Sequence, residues 1–119
     1  MEPAEMKALQ REILLGFWKV HILHHAAQGP VVGQWMMQEL RRHGYDISPG
    51  TIYPLLARLT ERGWLTCYTD PAGGLKARKE YSLTPKGREA LTFLKSQVEE
   101  LHREVVPGQD EKDRSRFKP

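Results

Sequence analysis

Apolar residues Leu9, Ile13, Phe17, Val20 and Leu23 recur at steps of three and four. That spacing keeps side chains on one side of an α-helix and predicts a long first helix from about residue 4 to Ala27, closed by the Gln28-Gly29-Pro30 cluster. Trp35, Met36, Met37 and Leu40 repeat the rhythm between about Gly33 and His43, and Gly44 supplies the left-handed residue at which helices commonly stop. A third helix starts at Ser48, a capping residue, with Pro49 in the first helical position, where a missing N–H costs nothing, and should end near Gly63. Within it Ile52, Leu55, Leu56 and Leu59 follow the i, i+3, i+4, i+7 pattern of a buried stripe. Gly50, Thr51, Pro54, Arg58 and Glu61 fall on the opposite side, with Tyr53 on the shoulder. Pro54 removes a backbone donor and crowds the previous turn, which predicts a tightened or bent first turn.

Beyond Gly63 the period changes. Trp64 to Thr69 and about Lys76 to Leu83 read as two strands joined by Asp70-Pro-Ala-Gly-Gly-Leu75, whose proline and paired glycines are turn chemistry. Thr84-Pro85 opens a last helix in which Leu91, Leu94, Val98, Leu101 and Val105 alternate steps of three and four, the rhythm of a helix packed along a partner. Nothing earlier in so small a domain would cover so long a stripe. Residues 107–119 mix charges of both signs with one aromatic, Phe117, and read as a disordered tail. The expected fold is mainly α with a small β-hairpin wing. It comprises a winged helix-turn-helix over residues 1–84 and a dimerisation helix over 85–106, with the long N- and C-terminal helices forming a dimer interface.

Composition narrows the class without deciding it. With 119 residues, 39% of them hydrophobic, the chain suits one domain. A net charge of +3 and a pI of about 9.1 favour an anionic partner only mildly. The single cysteine, Cys67, excludes an intrachain disulfide and a multi-cysteine zinc site, and is expected in or beside a strand as a small hydrophobe. No apolar run is long enough to span a bilayer, and Met1-Glu-Pro-Ala-Glu-Met-Lys7 lacks the basic-then-apolar order of a secretory signal. A soluble, cytoplasmic chain is expected.

The exposed side of the third helix carries the candidate chemistry. Arg58 could grip a phosphate or a guanine edge, or could be a solvated arginine paired at i+3 with Glu61. Tyr53 could fill the edge of the core or donate to a phosphate. Gly50 and Thr51 stand where free N–H groups and the helix dipole favour an anion, or serve simply as part of the cap. Lys76, Arg78 and Lys79 make the wing basic, suited to backbone or minor-groove contact or to protecting an exposed strand.

His21, His24 and His25 occupy one sector of the first helix, and the i, i+4 pair His21 and His25 can present two imidazoles to one metal ion. No His-Glu-x-x-His pattern accompanies them, so a further ligand would come from a partner subunit or the last helix, for instance His102 or Glu99. The alternative is a packed or half-exposed histidine cluster. Leu14 and Trp18 share the sector of His21 and His25, giving a flank that reads as an interface against the last helix. With Phe93, these residues form the candidate effector site.

From Lys19-Val-His-Ile-Leu-His24 through Ser48-Pro-Gly-Thr-Ile-Tyr-Pro54, followed by Leu-x-x-Leu, to Tyr81-Ser-Leu-Thr84, the chain resembles the PadR family of bacterial transcriptional regulators over about residues 10 to 105. The resemblance implies a homodimeric repressor whose first and last helices build the dimer and whose recognition helices and wings meet palindromic DNA. The length suits the smaller subgroup, with one C-terminal helix. It places DNA contact on Gly50, Thr51, Tyr53, Pro54 and Arg58 and on wing residues Lys76, Arg78 and Lys79. Two features depart from the pattern. Glu80 stands where an aromatic often precedes the tyrosine, and the last helix offers Phe93 where some multidrug-binding members present a tryptophan to a pore at the dimer centre.

The expected function is therefore sequence-specific repression, relieved by a small-molecule or metal effector, with no resident cofactor. Half-site centres should lie about one helical turn, roughly 34 Å, apart. The rivals are a metal sensor or metal-dependent enzyme built on the histidines, which would need a carboxylate base and an open coordination position, and a winged-helix protein-interaction module.

Overall fold

The computed structural model describes residues 1–106, with Leu75 and Lys76 by backbone alone, so the disordered tail expected over 107–119 and the side chain of Lys76 lie outside the described residues. Helix α1 (Pro3–Leu9) begins with proline at its first position and runs through a π-helical turn, Gln10–Leu14, into α2 (Leu15–Ala26). Together they make the predicted first helix, but the face differs from the expectation. Trp18, Ile22, Leu23 and Ala26 enter the core, whereas Leu9, Ile13 and Phe17 are exposed and Val20 is half-buried. Apolar residues lie on more than one side of α2, so its periodicity fits either face, and the wider π turn rotates α1 relative to α2.

Strand β1 (Val31–Val32) leads directly into α3 (Gly33–Arg42), whose Met36, Met37 and Leu40 are buried while Trp35 remains exposed. Gly44, at φ 94°, ends α3: its N–H donates to Arg41 O and that of Tyr45 to Leu40 O, the paired bonds of a Schellman stop. The loop to α4 (Pro49–Glu61) is pinned by Arg41 Nε donating to Ile47 O at 2.9 Å and by burial of the Ile47 side chain. Ser48 takes the extended cap conformation, but its side chain makes no capping bond; its carbonyl accepts from both Thr51 and Ile52. That shared acceptor mixes i+3 and i+4 closure, the tightened first turn anticipated from Pro54, and α4 then continues to Glu61. Gly63, at φ 81°, repeats the stop used by Gly44.

Strands β2 (Leu65–Thr69) and β3 (Lys79–Leu83) pair antiparallel with Cys67 opposite Tyr81, and β1 joins the other edge of β3 to give the order β1-β3-β2. The second strand of the hairpin begins at Lys79 rather than near Lys76. Two short 3₁₀ turns, separated by a kink at Gly74 (φ 64°), fill the connection over Pro71–Lys76, with Asp70 accepting from the Ala72 N–H at 3.0 Å. Helix α5 (Pro85–Val105) starts where predicted. Thr84 Oγ1 donates to Gly63 O at 2.6 Å and accepts from the Gly87 N–H at 2.9 Å, tying the start of α5 to the end of α4.

Of the α5 stripe only Leu91 is buried and Leu94 half-buried; Val98, Leu101 and Val105 are exposed. The radius of gyration is 17.4 Å, against about 13 Å for a compact chain of this size, because the helices at either end project beyond the core. Among the described residues no helix is long and apolar enough to cross a membrane.

Candidate nucleic-acid interface

Helix α4 is divided lengthwise. Ile52, Leu55, Leu56 and Leu59 are all buried, each worth about 2 kcal/mol of apolar burial, and they hold the helix by that side against the core. Gly50, Tyr53, Pro54 and Arg58 are exposed on the other side and Thr51 is half-buried, so the structure brings these five predicted residues onto one face. Tyr53 is 46% exposed, with its ring against Gly33 at the start of α3; a methyl group at Gly33 would run into it. The ring thus braces the two helices while leaving part of its surface to solvent. Among the described residues no ion pair joins Arg58 to Glu61, so the intrahelical pairing open to Arg58 is not made.

Beside this face lies a basic flank that the sequence pattern alone did not reveal. An open cleft between the first helix and α4 is lined by Lys7, Arg11, Lys19, Thr51 and Arg58, with Asp46 the acidic member. The i, i+4 spacing of Lys7 and Arg11 was a visible signal, but only the packing of the first helix beside α4 turns it toward the exposed side of α4. On the wing, Lys79 is exposed opposite Thr69 at the outer end of the hairpin. Arg78 precedes β3, exposed, with Nη2 3.8 Å from Glu80 Oε2. Tyr81 is buried against Cys67, which raises its hydroxyl pKa through burial first and the neighbouring thiol second.

The five residues expected to form an effector site do not converge. Trp18 is only 2% exposed and packs edge-on against Tyr45 at 5.8 Å, as a core residue. Leu14 packs partly buried on the same core. His25 turns toward α3, its ring 5.3 Å from Trp35, and Phe93 is 62% exposed on a different surface, beside Leu83, Pro85 and Arg88. Only His21 reaches the groove that does exist between α2 and α5. Phe17, Val20 and His24 line it from α2, and Leu91, Leu94, Val98, Leu101, His102 and Val105 from α5.

The histidines also regroup. His24 lines the groove, while His21, His25 and His43 of the α3 cap bring one ring nitrogen each to within 4.8 Å of one another. The third imidazole therefore comes from the same chain, in place of His24 and of the expected His102 or Glu99. Burial first, then neighbouring imidazoles, hold the pKa values of His21 and His25 below the ordinary histidine value. Arg42 donates to Glu39 through Nε at 2.9 Å and Nη2 at 2.7 Å, and chiefly through these bonds the Glu39 carboxyl is lowered to about 2.

The model of the transcriptional regulator PadR-like family matches residues 22–93. The chain belongs to that family. It is 50% identical over 99 residues to the transcriptional regulator Rv3488 of Mycobacterium tuberculosis, covering 83% of this chain and 92% of that protein. Among solved structures, a Streptococcus transcriptional regulator superposes with a TM-score of 0.69 at 31% identity, covering 79% of this chain and 93% of the other. A PadR family regulator from Eggerthella lenta gives 0.65 at 31% identity, covering 82% of each. This PadR-like chain is accordingly a DNA-binding transcriptional regulator with a winged-helix fold, and the enzyme alternative falls away because the family and these relatives are regulators.

Proposed function

We propose that the chain is a sequence-specific repressor acting as a symmetric homodimer, in which two α4 helices enter successive major grooves of a palindromic operator. The observation that carries this reading is the lengthwise division of α4: its apolar side is spent on the core, and Gly50, Thr51, Tyr53, Pro54 and Arg58 remain on the other. With no N–H on Pro49 and the Thr51 N–H given to Ser48 O, the Gly50 N–H and the helix dipole at the start of α4 suit a phosphate, and Arg58 suits a base edge or a second phosphate. Lys7, Arg11 and Lys19 extend the positive surface along the backbone.

The dimer is supported by the groove between α2 and α5, where two apolar stripes face outward without cover from the described part of their own chain. In this reading residues 1–84 read DNA and α5 joins the copies in the cytoplasm. An effector would act by binding one arrangement of the two reading units more tightly than the other. A ligand seated against α2 and α5 at the dimer seam is placed to do so.

The test takes a genomic duplex that the purified protein retains and compares its affinity with that of its scrambled sequence at fixed salt; equal affinity for both would return the chain to the protein-interaction reading. Arg58→Ala is expected to lower operator affinity by about 1–3 kcal/mol and to relax preference at one base position. A loss equal on every sequence would make Arg58 a phosphate contact. For Lys79→Ala the expectation is weaker binding with unchanged sequence preference and a slope of log affinity on log salt shallower by about one. If the slope is unaltered, the wing lysine stands outside the interface.

A further inference from the structure

Helices α2 and α3 meet through a patch of rings and one carboxylate that DNA reading does not require. The His21 ring lies 5.1 Å from that of His43 and 5.6 Å from that of Tyr45. Glu39 Oε2 sits 3.1 Å from His43 Nε2 and 3.5 Å from His25 Nε2. We infer that His21, His25 and His43 together bind one transition-metal ion of the zinc(II) class, with Glu39 positioning two of the three rings.

The donor set selects that class. Three imidazoles with no thiolate among them suit zinc, nickel, cobalt or copper(II) rather than the soft copper(I) ion or the hard calcium and magnesium ions. Bonds of about 2.1 Å at tetrahedral angles put ligand atoms about 3.4 Å apart. The nitrogens, all within 4.8 Å of one another, need only modest side-chain rotation to reach that spacing. His43 is exposed at the C-cap of α3 and can supply much of it. With the ion on Nδ1 of His25 and His43, Glu39 Oε2, beside the Nε2 atoms of both, is the carboxylate that aims those two rings, since a metal-bound histidine is normally held through its other nitrogen. Arg42, with Nη2 3.3 Å from His43 Nε2, is the nearby opposing charge, and its bidentate pair with Glu39 offsets it. Three protein ligands leave a fourth position for water. Because the ligands come from α2 and α3, an ion there would fix the angle between the helix of the groove and the first helix of the DNA-reading pair. This regulatory consequence rests on the repressor reading.

Zinc titration of the metal-stripped full chain by calorimetry, without DNA, tests the site, with cobalt(II) absorption as a spectroscopic probe. The expected result is about one ion per chain, an affinity lowered at least roughly 100-fold by His43→Ala or His43→Gln, and lowered about 10–100-fold by Glu39→Gln. His24→Ala, whose ring lines the groove, should bind as the parent does. No binding by the parent, undiminished binding in both folded His43 variants, or loss in His24→Ala would overturn the site. Operator affinity measured with and without saturating zinc tests the regulatory consequence separately: a shift present in the parent and absent in His43→Ala supports it, and equal affinities overturn it.

Discussion

Leu101→Glu is expected to divide the protein into monomers and, with that, to abolish tight operator binding. Leu101 is 49% exposed in the single chain and lies on the α5 stripe with Val98 and Val105, across a groove from Phe17 and Val20. In a twofold pair joined there, the interface would receive two carboxylates in a mostly apolar seam whose lysine, Lys95, stands about 9 Å away along α5 from Leu101. Burying an unpaired carboxylate costs several kcal/mol after relaxation. The pair of substitutions should therefore weaken the dimer by at least about 4 kcal/mol, roughly a thousandfold in dissociation constant. Since Leu101 supports little of its own chain's core, circular dichroism should report an intact helical fold. Sedimentation equilibrium decides the matter: a dimer as tight as the parent's would place the interface elsewhere. The operator measurement adds a second readout, because a monomer presents one α4 where two are needed.

Gly87→Ala is expected to destabilise the fold by about 3 kcal/mol, the upper end of what overpacking usually costs. A methyl group at Gly87 would overlap the Trp64 carbonyl group and would also press on Leu83. The carbonyl cannot easily move aside, because it accepts the Thr84 N–H at 3.1 Å, next to the cap that starts α5. Relief requires displacing α5 from β2, which disturbs both the wing and the helix proposed to join the subunits. Denaturant unfolding should show a lower midpoint with little change in slope. A midpoint within experimental error of the parent's would mean that the approach of α5 to Trp64 is slack.

The α4 division was legible because one element carried its whole signal. Four apolar residues at helical spacing, the start chemistry of Ser48-Pro49, and Gly63 at the end all pointed to the same helix with the same side inward. The α5 stripe was legible for the same reason, and its Val98, Leu101 and Val105 are exposed in the structure.

The first helix was less legible in a specific way. An apolar pattern reports which residues can be buried, and in α2 residues on both sides qualify, so the choice fell to packing: Trp18 and Ile22 were selected by Tyr45 and the core, leaving Phe17 to the groove. Strand β1, two residues long, has no period to read and exists because β3 offers it an edge. The start of β3 shifted because Pro71–Lys76 forms two short 3₁₀ turns kinked at Gly74, which local pattern does not distinguish from a longer hairpin loop.

Taken by itself, the order of residues determined the winged-helix class, the ends of its main helices and the outward side of α4, since caps, stops and single-face periodicity act within a few residues of one another. The tertiary structure alone decided which side of α2 is core, which basic residues flank α4, and that His43 rather than His24 joins His21 and His25. Each of those depends on contacts between segments far apart in the chain, whose proximity is set by packing and carries no local period.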